Sequence, residues 1–555
     1  MRGRGTRLLL AALGAAALLP SGTGSAAPAT APPASPASAA AAPPPRDSAR
    51  AVLDLLLSAQ VEEAESLLPR VEKSDPERAW AEAALRYWRG DYPGAAAALP
   101  PRPAPSEDEH GWLRDRIAAA RQATQGMLER REGPFTFRFA PGPDAILVDY
   151  GIDALLAQRR VMARILGSEP PQPVVIEILP DIESFILATG LPEQWVRTTS
   201  TVAVAKWDRV HLLSPVNMPH GFPWKDTLAH EYVHLALSRA SRERAPLWFQ
   251  EGAARVLESA WRGARGDAWL DPWSETMLAR ARKEGALIAL SDLKVSIAAM
   301  PSNQLATLAF AQVAFAVDQL FDAAGEAGFR RAVEEMARSG DADRAMDLGF
   351  GTRPGDPAAA ETSESRYLRA LRSAKLSEKA QIQSFDVEIE DGAARQPDPE
   401  GRGVDPVLVA DRRMQEHARL GDLLRVRGQT EAALIEYDRA SRVGPFHSPA
   451  LAGKRARALR ALGRNDVARQ ALEESVTLYP EFTPNVSLLA ELAVGSGDDA
   501  RAVELCRQAI GLNPFDPDVH LLLSGLFGRR GDRDGQAHEQ RVLQVLADHF
   551  SQEFR

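Results

Sequence analysis

Cysteine is nearly missing from this 555-residue chain: Cys506 stands alone, so no internal disulfide can form and thiol usage does not identify the compartment. Long runs of one charge sign are missing too. With 66 Lys and Arg against 75 Asp and Glu, the formal net charge is −9. Phosphate backbones call for a basic surface, so no nucleic-acid partner is expected. Apolar runs are short. The one over residues 8–19 has twelve residues, against the ~20 that a transmembrane helix needs. The apolar stretch past residue 304 is broken by Gln304, Gln312 and Asp318 and reads as a buried helix.

What is present begins with Arg2, Arg4 and Arg7 ahead of that short apolar run, then small residues through Ser25-Ala26-Ala27. This reads as a secretory signal over residues 1–27, and with no cysteine nearby to acylate, a secreted or periplasmic protein without a transmembrane span is expected. Residues 28–46 are almost entirely Ala, Pro and Ser, a spacer composition that cannot bury a core. The rest is ordinary globular sequence, long enough for three or four domains.

The chemistry is concentrated in DTLAHEYVHLALSRASRERAPLWFQEGAARVLE, residues 226–258. Its centre, His230-Glu231-Tyr232-Val233-His234, is an H-E-x-x-H pattern. Residues four apart on a helix lie one above the other, so both imidazoles can face one ion, with Zn²⁺ expected. Glu231 is placed to act as general base toward a water of lowered pKa. A catalytic zinc site needs a third protein ligand. Glu251 is the candidate, sixteen residues intervening after His234. A polar turn through Arg242, Glu243 and Arg244, then Pro246 opening a second apolar helix, would bring Glu251 back over the histidines. His211 and His220 are candidates for extra ligands or oxyanion donors, or equally surface residues. Asp226 reads as a helix-start cap, and Tyr232 as a packing residue.

The order H-E-x-x-H, short loop, then Pro246-Leu247-Trp248-Phe249-Gln250-Glu251-Gly252-Ala253-Ala254 resembles the gluzincin zinc peptidases, in particular the extracytoplasmic peptidase MA-like domains. The resemblance implies an α+β, gluzincin-like metallopeptidase domain, a small antiparallel or mixed sheet with zinc-binding helices. It implies one zinc per chain on His230, His234 and Glu251, Glu231 as general base, and a protein or peptide substrate. It also implies that the last strand before the zinc helix borders the cleft and can pair with an extended peptide. The closing helix of that family often carries a Tyr-Ala-Gln-Ser type motif, where this chain has Phe310-Ala311-Gln312-Val313. Phenylalanine cannot donate to an oxyanion, and losing one such donor lowers rates on the order of a hundredfold.

Around this domain, set at residues 133–388, lie helical segments. Residues 47–132 show apolar spacings of three and four, and the run through Gly90-Asp91-Tyr92 resembles a tetratricopeptide unit, so one or two degenerate helical hairpins are expected. Within 133–388, strands are expected at Phe135–Phe139, Val174–Leu179 and 209–215, and helices at 154–166 and Ile182–Thr189. Residues 389–405 are acidic and rich in Gly and Pro, a linker. In 406–550, Gly428, Gly463, Gly497 and Gly531 recur at spacings of 35, 34 and 34. That period, with its small and proline positions, predicts tetratricopeptide repeats: three units and a capping helix over 536–550. Cys506 falls on a packing position, an inert buried thiol. The concave face of the repeats offers a site for a protein partner, or the superhelix only packs on the catalytic domain.

Three functions fit: an extracytoplasmic zinc-dependent metallopeptidase whose repeats recruit or orient a protein, a binding scaffold that keeps the metallopeptidase fold without turnover, and a zinc hydrolase acting on another bond.

Overall fold

The computed structural model describes residues 47–101, 110–169, 173–193, 196, 201–218, 220–263, 270–293, 303–351, 363–379, 412–443 and 447–553. The expected signal segment, spacer and 389–405 linker lie outside these residues.

The first layer is helical: α1 (Ala49–Leu57), α2 (Val61–Leu67), α3 (Arg78–Trp88), α4 (Tyr92–Ala98) and α5 (Gly111–Ala123). They close around Trp80, Tyr87, Trp88, Leu113 and Ile117, a small core of their own. The helical segment ends earlier than the expected residue 132. β1 (Leu128–Glu132) turns at Gly133, φ +54°, into β2 (Phe135–Phe139). LERRE lies at the end of the segment read as helical, and its charge suits an exposed edge strand, where it discourages pairing with other chains.

Among the described residues, five strands form a sheet in the order β1-β2-β3-β5-β4, with β3 at Val174–Leu179, β4 at Ala203–Lys206 and β5 at Arg209–Leu213. β2, β3 and β5 are parallel, while β1 and β4 are antiparallel edges. Every residue of β3 and β5 is buried, as interior parallel strands require. α6 (Ala145–Leu166) and α7 (Ile182–Thr189) are the crossover helices, α6 starting at 145 rather than 154.

One expectation is corrected here. The last strand before the metal-motif helix is β5, which is paired on both sides and has no free edge. The edge is β4, joined to β5 by Trp207-Asp208, both with positive φ, 57° and 63°. That is the primed two-residue hairpin turn, whose twist matches the strands. The Leu213 N–H bonds the Val202 carbonyl at 2.7 Å, so by the antiparallel alternation Ala203 and Ala205 turn their backbone groups outward.

Behind the sheet lie α8 (Trp224–Ser241), α9 (Leu247–Leu257), α10 (Pro272–Glu284), α11 (Asn303–Ser339), α12 (Ala342–Gly349) and α13 (Ser363–Ser373). α11 kinks at Gly325, φ +62°. A window of it is apolar enough to span a bilayer, but 78% of that window is buried inside the fold. It is the central support of α9.

The carboxy-terminal region consists of helix pairs: α14 (Arg412–Val426) with α15 (Thr430–Val443), α16 (Pro449–Ala461) with α17 (Asn465–Leu478), α18 (Thr483–Gly495) with α19 (Asp499–Ile510), and α20 (Pro517–Arg530) with α21 (Arg533–Glu553). The expected lone cap over 536–550 is instead the second helix of a fourth pair, because Gly531 makes the same turn as its three counterparts. All four glycines are left-handed, φ +73° to +78°, a conformation only glycine enters without strain. Cys506 is buried, and burial, its largest influence, pushes its thiol up to about 12.

Candidate metal centre

α8 carries no amphipathic stripe: every residue from Thr227 to Leu237 is buried. A helix buried all round places its polar side chains against other protein, and His230, Glu231 and His234 are 2%, 0% and 3% exposed. The helix ends where Arg242 and Glu243 adopt left-handed backbone, φ 53° and 57°, and Pro246 caps the start of α9, so the polar turn forms where expected. α9 then presses on α11. A Cβ on Gly252 would sit 2.5 Å from the Val313 carbonyl oxygen, so the glycine beside Glu251 permits the close approach that buries this carboxylate to 1%.

The structure brings His230, His234 and Glu251 together. Their ligand atoms all lie within 4.8 Å of one another. Glu251 Oε2 is 3.6 Å from His230 Nε2 and 3.7 Å from His234 Nε2. Among the described residues, these three atoms and both oxygens of Glu231 are buried without a hydrogen-bond partner. Leaving one buried polar atom unpaired costs about 1–3 kcal/mol. Five of them concentrated on two adjoining helices fit a site built for a cation, and two imidazoles with a carboxylate are a donor set that zinc accepts.

Two residues unforeseen from the sequence orient the histidines. Glu258, one residue beyond α9, accepts from His230 Nδ1 at 2.9 Å. It is held by Arg255 at 2.6 Å, which reaches Asp271 at 3.0 Å. Gln250 fixes its amide by donating to the Ala245 carbonyl at 2.9 Å, leaving Oε1 facing His234 Nδ1 at 3.4 Å. With Glu258 as carboxylate and Gln250 Oε1 as acceptor, these contacts select the tautomer protonated on Nδ1, which turns both Nε2 atoms toward Glu251. Glu258 lies seven residues after Glu251, about two helical turns, which puts it on the same side of the helix but does not by itself show that it meets His230 Nδ1.

The electrostatics agree with this geometry. Burial, with Arg255 adding to it, lowers His230 to about 3, and burial lowers His234 well below its ordinary value. Burial raises Glu231 to about 8, the nearby Ala205 backbone on β4, short of hydrogen-bond geometry, pulling the other way, and raises Glu251 well above the usual carboxylate range. Without a cation, this pocket disfavours every charge its ligands would carry.

The other candidates lie elsewhere. His211 sits 3.1 Å from Glu177 in a buried knot that joins the sheet to the first helical layer. Burial works to raise Glu177, but His211, Arg209 and Tyr92 pull it down to about 2. His211 is neither a ligand nor an oxyanion donor there. His220 packs its ring on Phe482 of the repeats, centroids 4.9 Å apart. Asp226 is not a cap, because α8 begins at Trp224; its carboxylate accepts from the Trp261 indole at 2.8 Å and pairs with Arg262. Tyr232 packs on Phe135, centroids 5.9 Å apart. Phe310 is half-buried against the core, and Gln312 two residues on ties both backbone groups of Ile288, at 2.9 and 2.8 Å.

No protein-family model matches the sequence, and no curated protein matches it. Among solved structures, the chain is similar to TTC0263, a thermophilic TPR protein in Thermus thermophilus, at 24% identity over 24% of this chain and 74% of that one, TM-score 0.22. It is also similar to MamA, at 16% identity over 27% of this chain and 87% of that one, TM-score 0.23. A double mutant, MamA RS-1 ArsTM, aligns at 18% identity over 26% of this chain and 76% of that one, TM-score 0.22.

Proposed function

We propose that this chain is an extracytoplasmic zinc-dependent metallopeptidase. The observation that carries the reading is the convergence of three buried, hydrogen-bond-free ligand atoms from His230, His234 and Glu251 beside the unpaired carboxylate of Glu231. Zinc held by those three side chains would supply Lewis acidity, bringing the pKa of water down to about 7 and polarising a carbonyl. The chain supplies the remainder. Glu231 takes the proton from the attacking water and returns it to the leaving amine. Glu258 and Gln250 keep the imidazoles in one tautomer. Of the two outward-turned residues on edge strand β4, Ala203 is fully buried, and the half-buried Ala205 is the one whose backbone gives an extended peptide a main-chain partner beside Glu231, without demanding a particular sequence.

A second reading, a protein-binding scaffold without turnover, draws on the four helix pairs and on Phe310, which offers no hydroxyl where the resembling family often has one. Glu231 separates the two, since a scaffold has no need of a buried, unpaired carboxylate beside its ligands. Wild type and Glu231→Gln are compared on peptide libraries, with metal content measured in both. The expected result is equal zinc and hydrolysis by wild type alone. Equal behaviour of the two on every library, with zinc retained, selects the scaffold.

A further inference from the structure

The chain leading into α8 runs against the third repeat. Phe222 N–H donates to the Leu512 carbonyl at 2.9 Å, and the Trp224 indole donates to the Ile510 carbonyl at 2.8 Å. Ile510 ends α19, so the indole satisfies one of the carbonyls that a helix terminus leaves unpaired. Thr483, at the start of α18, donates to the His220 carbonyl at 2.6 Å. Between them Gly221 is left-handed, φ +68°, and the space its Cβ would fill is occupied by the Leu512 carbonyl. Tyr150 on α6 makes a second junction, donating at 2.8 Å to Glu539, which His520 also engages at 2.7 Å.

The opposite end of α8 is held as well. Arg239 bonds Asp208 at 2.8 Å in the β4–β5 turn and Glu62 at 2.9 Å in the first helical layer. Trp224 precedes Glu231 by seven residues and so lies on the same face of the helix. A helix rises about 1.5 Å per residue and moves as a rod, whereas ligand distances at a metal site tolerate only about 0.2 Å. Whatever fixes the ends of α8 therefore fixes both imidazoles.

We propose that the repeat domain supplies positioning groups for the metal-ligand helix, acting through Gly221, Phe222 and Trp224, so that the domain junction sets the geometry and metal affinity of the His230–His234 pair. This rests on the metal reading of the cluster. In it, the repeats are part of the site's construction.

The test uses the full chain loaded with cobalt, whose visible spectrum reports ligand geometry, and zinc affinity by chelator competition. Gly221→Ala forces the entry loop away from Leu512, and Trp224→Phe deletes only the indole donor while keeping a buried ring. Thermal melts check that each variant is folded. The expected result is an altered cobalt spectrum in both folded variants and zinc binding roughly tenfold to a hundredfold weaker, the range typical of lost supporting contacts. Should Gly221→Ala not fold, Trp224→Phe carries the test alone. Folded variants with the wild-type spectrum and affinity overturn the inference and leave the metal reading standing. A wild-type chain that binds neither ion overturns the metal reading, and the inference with it.

Discussion

At the scale of single residues, the histidine pair and its neighbouring carboxylates were legible because their chemistry is written locally. His230 and His234 share a helix face by spacing alone, and Glu251 needed only one further helix and a turn. Glu258 and Gln250 were not legible. Their role depends on where two Nδ1 atoms stand after α8 and α9 have packed, which no spacing within either helix states. Glu258→Ala is expected to keep the fold and to weaken zinc binding by roughly 10- to 100-fold in a chelator competition, the usual effect of losing a histidine's hydrogen-bond partner. Asp144 offers a test of a different kind. It is buried with the Ser214 hydroxyl at 2.6 Å, and burial raises its carboxyl to about 7. Since the folded value lies above the unfolded one of about 4, the group is neutral in both states at low pH. It subtracts stability progressively as pH rises from about 4 to about 7, by a few kcal/mol at most. Asp144→Asn should therefore raise the melting temperature relative to wild type at pH 8, and leave the difference near zero at pH 4.

At the scale of elements, strands and helices with clear periodicity appear where their residues predict them, among them Phe135–Phe139, Val174–Leu179 and Ile182–Thr189. The misread elements share a cause. β1 is charged because it is an exposed edge, and β4 is a four-residue strand of mostly small residues, so neither shows the alternation that marks a half-buried strand. The strand that the resemblance implies for peptide pairing, the last before α8, is β5, and it is already paired on both sides. Gly252→Ala is the sharpest test at this scale. Its added methyl would meet the Val313 backbone, which cannot move aside as a flexible side chain would. The expected result is a loss of about 2 kcal/mol or more in a denaturant melt, with zinc affinity falling as α9 is displaced. Gly497→Ala, by contrast, adds a methyl in open space but keeps a left-handed turn. It should cost about 1 kcal/mol and leave the metal centre unchanged.

At the scale of the whole molecule, the 34-residue period announced the repeats but not their contact with the sheet domain, because contacts between residues some 290 apart leave no periodic trace. Phe515, Val542 and Leu546 lie in the same apolar core as the sheet and the metal helix. If the repeats only offered a partner site, they could be removed without harm to a small-substrate activity. The structure points the other way: a chain ending before residue 406 would expose Trp224 and Phe222, and is expected to be poorly soluble, with a lowered melting temperature and depleted metal. The measurement that tests the metal centre most directly is elemental analysis of the purified full chain beside its His230→Ala and Glu251→Ala variants. About one zinc per wild-type chain, lost from both variants while each still melts cooperatively, is the expected result. A folded wild-type chain that takes up no stoichiometric metal, even when zinc is supplied, would contradict it.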